Sequence, residues 1–228
     1  MARRRRVGPK DVTQHVVQRG NNRKICFACE QDYIVYVSWL KQYSAKYDVA
    51  VHAWVLMTNH VHLLCTPQSE NLGVSQMMQS LGRQYVRYFN DTYKQTGTLW
   101  EGRFKSSLVC TSSYLLSAYR YIELNPVRAK MVNDPAQYKW SSYHVNALGK
   151  ESDLCQPHAI YLQLGQTSIE RLNTYRSLFQ DTLTQPLIDE IRACTNKELV
   201  LGNDKFKQEM EALIGEKLKT GKMGRPPK

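Results

Sequence analysis

Apolar and polar residues alternate along the chain in blocks whose period changes from two to about 3.6 and back. Residues 12–19, VTQHVVQR, alternate as a strand does, and Gly20-Asn21-Asn22 ends the run. Tyr33, Tyr36, Val37, Leu40, Tyr43 and Tyr47 then recur at helical spacing. Residues 49–57 are rich in β-formers and predict a second strand. Thr58-Asn59 predicts a tight turn, and residues 60–66 a third strand, so the two strands should form a hairpin. Residues 72–89 return to helical spacing through Val74, Met77, Met78, Leu81, Tyr85, Tyr88 and Phe89. After the turn KQTGT, residues 99–110 read as extended. A third helix, with Ser112 or Ser113 as its cap, should run to Asn125 and stop at Pro126. The order β-α-β-β-α-β-α begins with the six elements of a split βαβ, ferredoxin-like arrangement. The predicted class is therefore α+β, with a four-stranded antiparallel sheet.

Beyond Trp140 the pattern weakens. Residues 144–165 are loop-like. A capping-box pattern at Thr167-Ser168-Ile169-Glu170 opens a helix over 167–179, and short helices are expected over 186–193 and 203–218. The domain reading is a basic arm at 1–11, a main domain at 12–145, a linker at 146–165, a small α-helical appendage at 166–216 and a basic, structureless tail at 217–228.

Charge adds a partner to this picture. The 228 residues carry 31 Lys plus Arg against 20 Asp plus Glu, a formal net charge of +11. Such a surplus calls for a polyanion, nucleic acid or an anionic membrane. No apolar run approaches the roughly 18 residues of a spanning helix. The start, MARRRRVGPKDV, has a basic stretch with no apolar segment after it, so it does not read as a signal peptide. The expectation is a cytoplasmic protein with reduced thiols. Cys26 and Cys29 form a lone C-x-x-C without the second pair that a structural zinc site needs. No Walker-type phosphate loop is present, and an RNA-binding RNP1 strand is absent.

The sharpest chemical feature is His60-Val61-His62. Residues i and i+2 of a strand share a face, so the two imidazoles stand side by side, with Val61, Leu63 and Cys65 turned to the core. Such a pair can hold one divalent ion or can be two packed histidines, and spacing alone does not choose. On the third predicted helix Tyr121 and Asn125 lie four apart on one face, while Leu115, Tyr119 and Ile122 form the stripe expected to pack. With 14 tyrosines in the chain, most must be structural. His15 and His52 are read as structural.

Four segments together, HVVQRGNNR at 15–23, AWVLMTNHVHLL at 53–64, GTLWEGRFKSSLV at 97–109 and YRYIELNPVRAKMV at 119–132, resemble the HUH single-strand DNA transferases. The likeness is specifically to the REP-associated tyrosine transposases of the single-tyrosine superfamily. The resemblance spans residues 10–145 and is silent on 146–228. It implies the HUH endonuclease fold and a metal site of His60, His62 and Asn125 holding Mg2+ or Mn2+. It implies that Tyr121 is the nucleophile, forming a 5′-phosphotyrosine with single-stranded DNA at REP-like palindromic hairpins. Arg19, Asn22, Arg23, Lys24, Arg103, Lys105, Arg120 and Arg128 are candidate DNA contacts, and Trp100, Phe104 and Tyr114 are either stacking platforms for unpaired bases or core residues. Gly224-Arg225-Pro226 resembles the core of an AT-hook, so Arg225 and the basic arm are candidate duplex contacts. A monomer at the nucleoid is expected. Two alternatives stand beside this reading: a DNA-binding regulator on the same scaffold that does not cut, and a mobile-element transposase acting on its own ends.

Overall fold

A computed structural model describes residues 8–70 and 73–215. Arg3, Arg4, Arg5 and Arg6 of the arm, Leu72, and the tail with Arg225 lie outside the described residues. The sheet is built from β1 (Gln14–Arg19), β2 (Val49–Met57), β3 (His60–Pro67) and β4 (Lys105–Val109), with β5 (Val200–Leu201) added at one edge. Strand order is β2-β3-β1-β4-β5. The first four strands pair antiparallel, as the pattern predicts, and β5 pairs parallel to β4 through Leu108 with Val200 and Val109 with Leu201. The sheet thus has five strands where four were expected. The fifth is two residues long, too short to leave a periodic signature, and its partner is 92 positions earlier in the chain.

The β2–β3 hairpin follows the sequence reading closely: Met57 pairs with His60 across Thr58-Asn59. The alternation on β3 then decides what each face carries. Val61, Leu63 and Cys65 join Val16, Val51 and Leu56 in a core beneath α1 (Glu30–Lys46) and α2 (Gly73–Tyr93), where Tyr36, Leu40, Met77, Leu81 and Tyr85 are fully buried. Each such side chain contributes roughly 1.5–3 kcal/mol on burial. Asp32 joins the two helices. Its carboxylate accepts from the backbone N–H groups of Ala28 and Cys29 at the start of α1, and from the hydroxyls of Tyr88 and Tyr93 at the end of α2. Cys26 is buried and Cys29 caps α1; both are free thiols.

The opposite face carries Ala53, Val55, Met57 and Leu64, covered by α3 (Thr111–Glu123) through Leu115, Ala118, Tyr119 and Ile122. The cap of α3 is Cys110, not Ser112 or Ser113. The helix ends at Glu123, and one further turn, α4 (Asn125–Arg128), carries Pro126 near its start, where a missing N–H costs least. Residues expected to be loop contain two single turns, α5 (Tyr143–Asn146) and α6 (Ala159–Leu162). The capping box of Thr167 and Glu170 opens α7 (Ser168–Ser177), followed by α8 (Gln185–Lys197) and α9 (Asp204–Ile214). Tyr161, Tyr175, Ile188 and Ile191 from this C-terminal region fill the same core as α3. The buried Glu123 carboxyl accepts hydrogen bonds from Ser142, Asn146 and Tyr175, joining α3 to α5 and α7.

Candidate active site

The sheet face shared with α3 opens at one end into a cleft of about 280 Å³. β3 supplies His60 and His62, β1 supplies Arg19 and His15, and the α3–α4 corner supplies Tyr121, Asn125 and Arg128. Arg192, Thr195 and Asn196 of α8 close the remaining side. The His60 and His62 rings stand 5.0 Å apart between centroids, and the Tyr121 ring lies 5.8 Å from His62. The expected i, i+2 and i, i+4 faces therefore meet in one chain. Tyr119, one helical face round from Tyr121, is core with no exposure.

Hydrogen bonds define which atoms remain free. Asn59 donates through Nδ2 to the Arg23 carbonyl, which turns its Oδ1 toward His60 Nδ1 at 2.6 Å. A carboxamide oxygen only accepts, so His60 carries its proton on Nδ1 and keeps the Nε2 lone pair. The backbone around Asn59 is set by Gly20, whose N–H donates to the Asn59 carbonyl. A Cβ at Gly20 would stand 2.3 Å from the Lys24 carbonyl oxygen, so only glycine fits there. Asn125 spends its Nδ2 on the Tyr121 carbonyl at 3.2 Å, leaving Oδ1 as the group available to the cleft.

The electrostatics favour neutral imidazoles beside positive charge. Burial lowers His60 to about 4, aided by Arg19 and Arg128, and burial lowers His62 well below the ordinary value. His15 falls to about 3 for the same reason, with Arg128 adding to the effect. Neutral rings retain the lone pairs that metal binding requires. Arg128 lies over the Tyr121 ring, 4.1 Å from its centroid. Burial draws its guanidinium down to about 10, opposed by the Tyr121 phenol, so it remains cationic at neutral pH. No hydrogen bond of ordinary geometry reaches its Nε, Nη1 or Nη2 among the described residues. Buried donors without acceptors are costly, and an anion entering the cleft would relieve that cost.

The remaining predicted contacts fall into three groups. Arg19 lines the cleft, and Lys105 stands at its rim, 3.5 Å from the Asn196 side-chain oxygen. Asn22, Arg23 and Lys24 are exposed on the loop after β1, and Arg103 is exposed on the turn before β4. Arg120 points away from the cleft and donates to the Asp181 carbonyl. Trp100 and Phe104 are core residues and cannot serve as stacking platforms, while the Tyr114 hydroxyl is held by Glu190. His52 is structural as expected, bonded to Thr66 and the Gln156 carbonyl. His15 is not merely structural: it lies in the cleft wall against His62. Asn59, Arg192, Thr195 and Asn196 also escaped the sequence reading. Asn59 sits inside the T-N-H-V-H string and was open to notice, whereas the α8 residues reach the cleft only through tertiary packing.

Among the described residues no cluster of three or more His, Cys, Asp or Glu could hold a metal ion. A cation here would need the carboxamide of Asn125 beside the two imidazoles. Among the described residues no helix is long and apolar enough to cross a membrane.

Comparison with known proteins places this geometry. No curated protein matches the sequence. A REP-associated tyrosine transposase, solved bound to a REP hairpin, is similar in structure: TM-score 0.53 at 18% identity, over 69% of this chain and 93% of that one. A transposase candidate from Deinococcus radiodurans aligns with TM-score 0.36 at 20% identity, over 52% of this chain and 95% of its own. The five-stranded α+β architecture is that of the HUH transposase fold. The profile of the IS200-like transposases matches residues 10–125, over half the chain, and takes in His15, Arg19, His60, His62, Tyr121 and Asn125 of the cleft but not Arg128 or the α8 wall. The chain therefore belongs to the IS200-like transposase family, enzymes that act on DNA.

Proposed function

We propose that this protein is a metal-dependent single-strand DNA endonuclease and strand transferase that cuts beside palindromic, REP-like hairpins through a covalent link to Tyr121. The observation that carries this reading is the convergence on one cleft of a phenol, two imidazoles with free Nε2 atoms and a carboxamide oxygen. The hairpin as substrate is supported by the REP hairpin bound to the similar structure.

The donor set fits a divalent ion. Imidazole nitrogen and amide oxygen together suit Mn2+ and accommodate Mg2+. Held by His60, His62 and Asn125, such an ion would supply Lewis-acid polarisation of the scissile phosphate. The chain's own groups do the rest. Arg128 and Arg19 hold the phosphodiester by charge, with Arg128 offering a planar fork of donors beside the phenol. The Tyr121 oxygen attacks phosphorus, its proton passes to solvent in the cleft, and the bond from phosphorus to the 3′-oxygen breaks. The products are a 5′-phosphotyrosine and a 3′-hydroxyl. Attack by another 3′-hydroxyl on the phosphotyrosine reverses the step and joins strands, so no nucleotide cofactor is needed.

Tyr121 meets its histidines within one chain, which supports action as a monomer in cis. The exposed Asn22, Arg23, Lys24 and Arg103 are read as phosphate contacts along the flanking strand, and the basic arm and Arg225 as contacts to duplex DNA. A site at the nucleoid of the cytoplasm follows from that role. The test is incubation with single-stranded hairpin DNA and Mn2+, followed by mass spectrometry for a DNA–tyrosine peptide. The adduct should fall on Tyr121 and vanish in Tyr121→Phe while hairpin binding persists. An adduct on another tyrosine would refute the nucleophile. No adduct, with a second HUH enzyme active in the same tube, would favour a regulator that does not cut.

A further inference from the structure

His15 Nε2 lies 2.8 Å from His62 Nδ1, with the two rings only 16° from coplanar. On its other side His15 Nδ1 lies 2.9 Å from the Thr195 hydroxyl. That hydroxyl is in turn 2.9 Å from the carbonyl of Ile191, one turn earlier in α8. We propose that Thr195 and His15 are positioning residues that fix the tautomer of His62, so that its Nε2 is presented to a divalent cation.

The protons along this chain of bonds can be counted. A hydroxyl has one. The Ile191 carbonyl can only accept, so at 2.9 Å the Thr195 proton is spent on it. The alternative, donation to His15, would leave two oxygens in contact with no proton between them. Ser107 lies 3.2 Å from the same hydroxyl and can donate to its second lone pair. Thr195 can therefore only accept from His15, and His15 must carry its proton on Nδ1. A neutral imidazole holds one proton, so His15 Nε2 is an acceptor, and His62 must donate from Nδ1. The His62 lone pair is left on Nε2. Asn59 imposes the same tautomer on His60 by a separate route. Both imidazoles are thus oriented for one ion, which is what outer hydrogen bonds to metal-ligating histidines commonly do. The device is assembled from β1 and from α8, 180 residues apart, and α8 lies outside the segment matched by the family profile.

The inference rests on the metal reading of His60, His62 and Asn125, and its test separates the two. Imidazole nitrogens of the metal-free protein are observed by long-range proton–nitrogen correlation, with signals assigned from His15→Gln and His62→Gln. Mn2+ binding is measured alongside by electron paramagnetic resonance. His62 should appear as the Nδ1–H tautomer. Thr195→Val, which removes the accepting oxygen, should mix the tautomers and weaken Mn2+ binding about tenfold. Thr195→Ser should restore both. An Nε2–H tautomer in the metal-free protein would overturn the proposal, as would unchanged tautomer and affinity in a folded Thr195→Val. A Thr195-dependent tautomer in a protein that binds no Mn2+ would overturn the role in presenting a ligand and the metal reading with it. Mn2+ binding lost in His62→Gln but indifferent to Thr195 would sink this proposal alone.

Discussion

Glu123 has no exposure, sits two residues beyond Tyr121, and receives three hydrogen bonds with no ion pair among the described residues. Burial raises its carboxyl from the ordinary 4.5 to about 7, and the donors from Ser142, Tyr175 and Asn146 offset only part of that rise. At 1.36 kcal/mol per pH unit, this amounts to about 3 kcal/mol of stability. The sign follows from which state binds protons more tightly. The folded pKa lies above the unfolded one, so the folded protein holds the proton at pH values where the unfolded chain has released it. The contribution is full below about 4.5 and is lost as pH rises through about 7. Glu123→Gln keeps an acceptor for Ser142 and Asn146 and removes the charge. Urea unfolding of both proteins between pH 4.5 and 8 should show the wild type losing about 3 kcal/mol relative to the variant, since the other titrating groups cancel in the difference. Parallel curves would mean that the three donors balance desolvation, and the shift would be refuted. Glu123→Ala, which strands all three donors, should cost about 3 kcal/mol near pH 4.5, and that cost should shrink toward pH 8 as the wild type loses stability.

The histidines act in the opposite sense. His15, His52 and His60 are held to about 3, 4 and 4 when folded, so the unfolded chain binds more protons below about pH 6.5. Their stabilisation is full above that value and falls away below it, by about 3 kcal/mol each near pH 4. Circular dichroism should therefore show acid unfolding setting in below pH 6, and an intact fold at pH 3 would refute the burial argument. Asn59→Ala frees the His60 ring and should lower Mn2+ affinity about tenfold with the fold preserved; equal affinity by titration would remove Asn59 from the site. Arg128→Gln should weaken hairpin binding and make its salt dependence shallower by about one ion; an unchanged slope in filter binding would show that Arg128 does not meet phosphate.

What could be read in advance was local. The hairpin of β2 and β3, the H-x-H face and the Tyr121–Asn125 face all follow from period two and period 3.6 within a few residues of chain. The capping box at Thr167 is equally local, and it stands. What escaped depends on distant partners. His15 looked like any packed histidine because its role is set by Thr195, 180 positions later. Trp100 and Phe104 stood open between base stacking and the core, because composition does not say which side of an extended segment is buried. β5 has two residues and draws its stability from β4. Arg120 and Arg128 flank the same helix end with the same charge, yet one points to Asp181 and the other to the Tyr121 ring.

The wall of the cleft contributed by α8 has a consequence for the order in which the protein is made. During translation β1 emerges early, with His60, His62 and Tyr121 after it, while Arg192, Thr195 and Asn196 come from near the end of the described chain. Contacts across such a separation close late, because the loop entropy must be overcome before they form. A nascent chain still on the ribosome carries His60, His62 and Tyr121 without the wall that completes their cleft. The cleft thus stays incomplete until synthesis has passed α8, and a product terminated before α8 lacks that wall altogether.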